Sequence, residues 1–220
     1  MGPEALSEPR YERLRRQLIE TIREHGIDDL AVLQAFDTVP RHLFLPESVV
    51  HRAYDDAALP IGFGQTASQP SLQALYLQLL RPRRDDRVLE IGTGTGYQTA
   101  LLARLAGQVY SVERVRELSV RARAALDTLR IANVALLAGD GTVGWSRYAP
   151  FDVILVAAAA PAVPDPLLAQ LAEGGRMLIP LGARDEQQLT LVRKGAAGVE
   201  TESVGACTFV PLLGRFGWPA

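Results

Sequence analysis

Val88-Leu89-Glu90-Ile91-Gly92-Thr93-Gly94-Thr95-Gly96 reads as a β-strand that runs into a glycine-rich turn and then into a helix from Tyr97. A strand that turns this tightly into a helix needs residues that tolerate positive φ and close backbone approach, which glycine supplies. Downstream, short aliphatic runs alternate with helical patterns. Strands are expected at 88–91, 109–112, 134–137, 153–156 and 177–180, with helices at 97–106, 115–129 and 166–171. Such β-α-β alternation predicts an α/β fold: a Rossmann-like, doubly wound, mostly parallel sheet with helices on both faces. Residues 188–192 and 199–210 read as a C-terminal strand pair joined at 195–198, the last strand antiparallel.

Upstream of the turn the chain is helical. Tyr11, Leu14, Leu18 and Ile22 recur at helical spacing up to Gly26, with Arg13, Arg15, Arg16 and Arg23 on the solvated face. A second helix starts at Asp28 or Asp29 and ends before Pro40. Residues 40–70 are rich in Pro and Gly without a clear period, and a third helix covers 70–80. We expect one domain over 1–220: a helical, substrate-side part at 1–80, a nucleotide-binding core at 81–183, and the strand pair with its tail at 184–220.

The 220 residues are 48 % hydrophobic and 22 % charged, which excludes disordered and collagen-like classes and leaves room for a core without staples. The 23 basic and 25 acidic residues leave a net charge of −2, with no general attraction for a nucleic-acid backbone. Cys207 is the only cysteine, so neither an internal disulfide nor a metal cluster is expected. The only lysine, in Val192-Arg193-Lys194-Gly195, lacks the Gly-Lys-Ser/Thr context of a phosphate-binding loop. The longest apolar run, 153–162, is about half a membrane span, and no leader pattern opens the chain. These features predict a cytoplasmic protein without membrane or nucleic-acid partners.

The turn also discriminates among ligands. The dinucleotide pattern G-x-G-x-x-G fails, because the third glycine would fall on Tyr97 or Thr99; the spacing here is G-x-G-x-G. Glu90 stands just before the turn, where a pyrophosphate about 4 Å away would be opposed by roughly 4 kcal/mol. S-adenosylmethionine carries a sulfonium and an ammonium and no phosphate, so an acid there favours it over NAD. Glu113, at the end of the next strand, is placed to accept ribose hydroxyls. Asp140, in Gly139-Asp140-Gly141, is placed to accept from an adenine amino group.

The sequence resembles the protein-L-isoaspartate (D-aspartate) O-methyltransferases, a branch of the class I S-adenosylmethionine-dependent methyltransferases. The likeness rests on Val39-Pro40-Arg41-His42-Leu43-Phe44-Leu45-Pro46 and on the more specific segment from Ala58 through Gly64-Gln65-Thr66-Ala67-Ser68-Gln69-Pro70. Further blocks follow in order at 89–98, 139–145, 149–152, 174–182 and 209–212, over roughly residues 10 to 215. The resemblance implies methyl transfer to the free carboxylate of L-isoaspartyl, and of D-aspartyl, residues in damaged proteins, by a monomer. It implies that Ser68 is the active-site residue and that Ile61, Gly62, Phe63 and Gly64 border the cofactor. It further implies that Glu90, Gly92, Thr93, Gly94, Glu113, Asp140 and Gly141 contact S-adenosylmethionine.

The residues themselves suit this chemistry. An acceptor carboxylate is already ionised at pH 7, so no general base is needed, and no His/Asp or Cys/His arrangement stands out. Hydroxyls orient a carboxylate without the charge neutralisation of a bidentate arginine, which makes Thr66 and Ser68 the candidates. Ser68 also reads as an N-cap for the helix at Pro70, a role worth about 1 kcal/mol. The competing readings are a carboxyl methyltransferase for normal aspartyl residues or a small acid, and a non-catalytic S-adenosylmethionine-binding module.

Overall fold

The computed structural model describes residues 8–219. Three helices lead: α1 (Glu8–Glu24), α2 (Leu30–Thr38) and α3 (Pro70–Leu80). Asp29 caps α2 by accepting from the Ala31 and Val32 amides, as its sequence position implies. Between α2 and α3 the chain forms a small antiparallel hairpin, β1 (Leu59–Gly62) and β2 (Gln65–Ala67), in the stretch where no period was expected. Two strands this short, with Pro60 and two glycines among them, leave too little alternation to read.

The sheet follows as β3 (Arg87–Ile91), β4 (Gln108–Glu113), β5 (Val134–Ala138), β6 (Phe151–Val156), β7 (Leu171–Gly182), β8 (Gln187–Gly195) and β9 (Gly198–Cys207), in the order β5-β4-β3-β6-β7-β8-β9. The strands β3 to β7 run parallel to one another, whereas β8 is antiparallel to β7 and β9 to β8. Helices α4 (Tyr97–Leu105), α5 (Arg116–Thr128) and α6 (Asp165–Gln170) make the crossovers. Successive strand residues feed opposite cores: Val88, Val153, Leu155 and Leu178 join the core that α1 to α4 share, and Leu89, Ile154, Val156 and Met177 the one that holds Leu167 of α6. Period-2 alternation with both faces covered is what a doubly wound sheet requires.

Three expectations need correction. The strand read at 177–180 begins at Leu171, because Leu171 already pairs with Phe151 of β6. The last strand ends at Cys207 rather than at 210; beyond it, Val210 to Leu212 run beside Ala159 through Ala159 N–Val210 O and Leu212 N–Ala159 O bonds, both 2.8 Å. Arg15 is not on a solvated face but half-buried, 3.6 Å from Asp37. Among the described residues, no helix is long and apolar enough to cross a membrane, and no group of three His, Cys, Asp or Glu side chains could hold a metal.

Candidate active site

A crevice of about 980 Å³, its open mouth included, lies along the carboxyl ends of the parallel strands. Ile91 at the end of β3, Gly92 just after it, and Ala157 and Ala158 after β6 all line it. Strand order reverses between β3 and β6, the place where doubly wound sheets open a ligand cleft.

The glycine turn is held in one conformation. Gly92, Gly94 and Gly96 have φ of 97°, 55° and 93°, so the G-x-G-x-G spacing places glycine at each left-handed position. A Cβ on Gly96 would stand 3.0 Å from that of Ala122, and one on Gly92 would stand 3.3 Å from that of Ala157. Glu113, 7 % exposed, clamps the turn: its Oε2 accepts from the Gly94 amide and its Oε1 from the Val115 amide, both at 2.8 Å. Each oxygen keeps a lone pair for a further donor.

Glu90 is placed differently from the reading above. It is fully buried and does not line the crevice. Strand register sets it beside Ser111 of β4, and its Oε2 accepts from the Ser111 hydroxyl at 2.6 Å and the Thr99 hydroxyl at 2.5 Å. Burial first, then the nearby Glu113 charge, raise its pKa to about 7, against the pull of the two hydroxyls. The repulsion assigned to it at the ligand surface is therefore weaker than estimated, and Glu113 is the acid that faces the crevice. Thr93, which lines the crevice, hydrogen-bonds Ser111 at 2.6 Å and so links Glu90 to the turn.

Asp140 also lies outside the lining, although Gly141 belongs to it. Its Oδ1 accepts from the Thr142 amide and hydroxyl at 2.8 and 2.6 Å, and its Oδ2 from the Arg215 amide at 2.9 Å. Partial burial opposes ionisation, but these donors outweigh it and hold the carboxyl below its ordinary range. The C-terminal segment is thus docked on Asp140, and a Cβ on Gly214 would stand 2.1 Å from Oδ1. Just before that anchor, Val210 to Leu213 line the crevice, a wall the sequence reading did not assign.

The facing wall is the hairpin. Burial alternates along β1, so Ile61 points into the crevice, and its Cδ1 would lie 3.4 Å from a Cβ on Gly94. The tip, Gly62-Phe63-Gly64, has three successive positive φ values and does not line the crevice. Phe63 is half exposed, with the Arg121 guanidinium 5.6 Å from its ring centroid. Past the tip, Thr66 and Ser68 do line the crevice. Among the described residues no hydrogen bond engages either hydroxyl. Ser68 is not the cap of α3: Gln69 occupies the N-cap position without a capping bond, and Asp56 Oδ1 takes the Ser71 amide instead at 2.8 Å.

Sequence reasoning also missed three polar side chains of this wall. Gln73, Tyr76 and Gln98 line the crevice at 5 %, 2 % and 7 % exposure. Among the described residues, the Gln73 Oε1, the Tyr76 hydroxyl and both amide atoms of Gln98 have no hydrogen-bond partner. Buried groups of this kind are normally satisfied, so the crevice is built for a polar ligand. The one available signal was a glutamine on an otherwise apolar helix face at residue 73 and another just after the glycine turn.

The family model of Protein-L-isoaspartate(D-aspartate) O-methyltransferase (PCMT) matches residues 12–217. A protein-L-isoaspartate O-methyltransferase of Trichlorobacter lovleyi is 51 % identical over 205 residues, 93 % of this chain and 94 % of that one. Its counterpart in Dictyoglomus thermophilum is 46 % identical over 96 % of both chains. Among solved structures, a protein-L-isoaspartate O-methyltransferase superposes with a TM-score of 0.83 at 33 % identity, over 92 % of this chain and 67 % of that one. A Plasmodium falciparum protein described as a beta-aspartate methyltransferase, in complex with S-adenosyl-L-homocysteine, gives 0.81 at 26 % identity, over 90 % of this chain and 98 % of that one. The chain belongs to the protein-L-isoaspartate (D-aspartate) O-methyltransferase family.

Proposed function

We propose that this enzyme methylates the free carboxylate of isoaspartyl residues in damaged proteins, with S-adenosylmethionine as donor and the crevice as the place of transfer. Family membership supports the reaction and the donor. The observation that carries the assignment to this crevice is the juxtaposition, in one cleft, of the Glu113-clamped glycine turn with the unengaged hydroxyls of Thr66 and Ser68.

When bound, S-adenosylmethionine supplies a methyl group activated by its positive sulfur. Gly92, Thr93, Gly94 and Gly141 give it close backbone approach, and Glu113 offers its remaining lone pairs to ribose hydroxyls. Ile61 closes the apolar side. In this reading Gly62, Phe63 and Gly64 shape the rim, while Glu90 acts through Thr93 and Asp140 through the C-terminal segment. Ser68 and Thr66 donate to the acceptor carboxylate and aim one oxygen at the methyl carbon, an orientation effect that can supply about 7 to 11 kcal/mol. The carboxylate needs no base, because it is ionised well below pH 7. D-aspartyl residues present a similar carboxylate and belong to the same reading.

The net charge of −2 and the absence of a disulfide-forming cysteine pair support a cytosolic enzyme that does not act on nucleic acid. The test is methyl transfer from labelled S-adenosylmethionine to matched peptides with isoaspartyl or aspartyl at one position. Label on the isoaspartyl peptide alone is expected; equal or preferred labelling of the aspartyl peptide would transfer the chain to the carboxyl methyltransferases of normal residues.

A further inference from the structure

Arg41 follows Val39-Pro40 in the short helical turn Arg41–Phe44 and is completely buried. A buried guanidinium is ordinarily matched by a carboxylate, since an uncompensated charge in the interior is strongly unfavourable. Among the described residues no carboxylate oxygen lies in ion-pair range of Arg41. Its partners are carbonyls instead: Nη1 donates to Ala53 O at 3.0 Å and Asp55 O at 3.3 Å, and Nη2 donates to Ser68 O at 3.0 Å. Nε has no partner. The guanidinium carbon also stands 5.6 Å from the ring centroid of Tyr97, the first residue of α4 and part of the crevice lining. Desolvation lowers the Arg41 pKa, while Tyr97, Asp56 and Asp55 oppose that shift electrostatically.

These contacts share one geometry. A single planar cation reaches the carbonyl of the acceptor-side serine, the loop at 53–55, and the ring that follows the glycine turn. Departures from ordinary burial rules concentrate at functional sites. A cation held only by carbonyls and a ring face is such a departure, and a hydrocarbon of similar volume would pack there without it. Only a guanidinium has donors splayed widely enough to hold both carbonyl groups while stacking on an aromatic face; a lysine is a point charge.

We propose that Arg41 is a positioning residue for methyl transfer, fixing the Ser68 backbone relative to the glycine turn so that the Ser68 hydroxyl meets the acceptor carboxylate in line with the donor. The inference rests on the assignment of Ser68 above. Asp56, through Ser71 N and Gln69 Nε2, fixes the start of α3 just beyond, so Ser68 is held from both sides.

The experiment is a double-mutant cycle of Arg41→Lys with Ser68→Ala, reading kcat and KM for an isoaspartyl peptide, the Kd of S-adenosylmethionine, and Tm. Misplacement of a reacting group from a distance costs up to about a hundredfold in rate. We expect Arg41→Lys to lower kcat about tenfold with Kd within about twofold, and to change kcat less than about twofold once Ser68 is alanine. An equal fold-loss in both backgrounds would overturn the proposal, because Arg41 would then act independently of the hydroxyl. So would a loss that appears in Kd and Tm but not in kcat. Full turnover by Ser68→Ala alone is a different failure: it would remove the Ser68 assignment and, with it, this role. If Arg41→Lys does not fold, Arg41→Gln, whose uncharged amide stops at the Nε position and cannot reach the Ser68 carbonyl, completes the same cycle.

Discussion

The two sides of the crevice are held by different means. The donor side is the turn after β3: its three glycines adopt left-handed conformations set by the local sequence, and its clamp, Glu113, ends the adjacent parallel strand. The acceptor side is a hairpin outside the main sheet, with an exposed tip, whose serine is held through Arg41, 27 residues upstream, and through Asp56. In the proposed reading, the methyl donor's place rests mainly on the local glycine turn with its Glu113 clamp, and the acceptor's place on contacts from farther along the chain. Substitutions on the donor side should change binding, and those on the acceptor side should change turnover.

Ser68→Ala is the largest test of that division. It should lower kcat about a hundredfold, with the S-adenosylmethionine Kd within about twofold. Tm should stay nearly constant, because the Ser68 hydroxyl caps nothing. A parallel fall in stability and activity, measured by thermal melts beside kinetics, would return Ser68 to a structural role. Glu113→Gln should do the reverse. It replaces a charge-assisted acceptor of two backbone amides, worth about 1.5 to 3 kcal/mol per bond, so calorimetry should show cofactor Kd raised at least tenfold. The kcat at saturating donor should change much less.

The C-terminal wall gives a smaller effect. In Gly214→Ala the new methyl overlaps Asp140 Oδ1, so the segment must lift from its anchor. Tm should fall by a few degrees, about 1 to 2 kcal/mol, with a matching rise in KM for the peptide because Val210 to Leu213 shift. Asp140→Ala should weaken cofactor binding only through that same loosening.

Glu90 gives the pH-dependent test. Its folded pKa, about 7, is raised above the ordinary 4.5, so the native chain keeps a proton that the unfolded chain releases. Its contribution therefore favours the native state most below pH 4.5, declines as pH rises toward 7, and is lost above that. Glu90→Gln removes this dependence. Melts of the ligand-free protein should show the variant gaining on the parent by about 2 to 3 kcal/mol between pH 5 and pH 8. A constant difference across that range would mean Glu90 does not titrate there.

The division between the two sides also explains what the sequence made legible. Strands and crossovers were readable because Val88-Leu89 or Ile154-Leu155 must each satisfy two cores at once, which leaves alternating, turn-bounded runs. The glycine turn was readable because its φ values demand its residue types. Glu90 was mislocated because the β3–β4 register sets it beside Ser111 and the packing of α4 brings Thr99 onto it, neither of which the order of residues shows. Asp140 was read without the C-terminal segment that uses its lone pairs, a contact across 75 residues. The hairpin and the buried Gln73 and Gln98 were hidden for a similar reason: their environment is assembled from distant segments.

In the proposed transfer the Ser68 hydroxyl, held by distant contacts, faces an acceptor carboxylate across from a donor on the glycine turn. The direct measurement is a crystal structure with S-adenosylhomocysteine and an isoaspartyl peptide bound together. The expected result is the sulfur against the 92–94 backbone, ribose hydroxyls on Glu113, and the peptide carboxylate within hydrogen-bond distance of Ser68 Oγ. A carboxylate bound elsewhere, or a serine turned away from it while the cofactor sits on the turn, would contradict it.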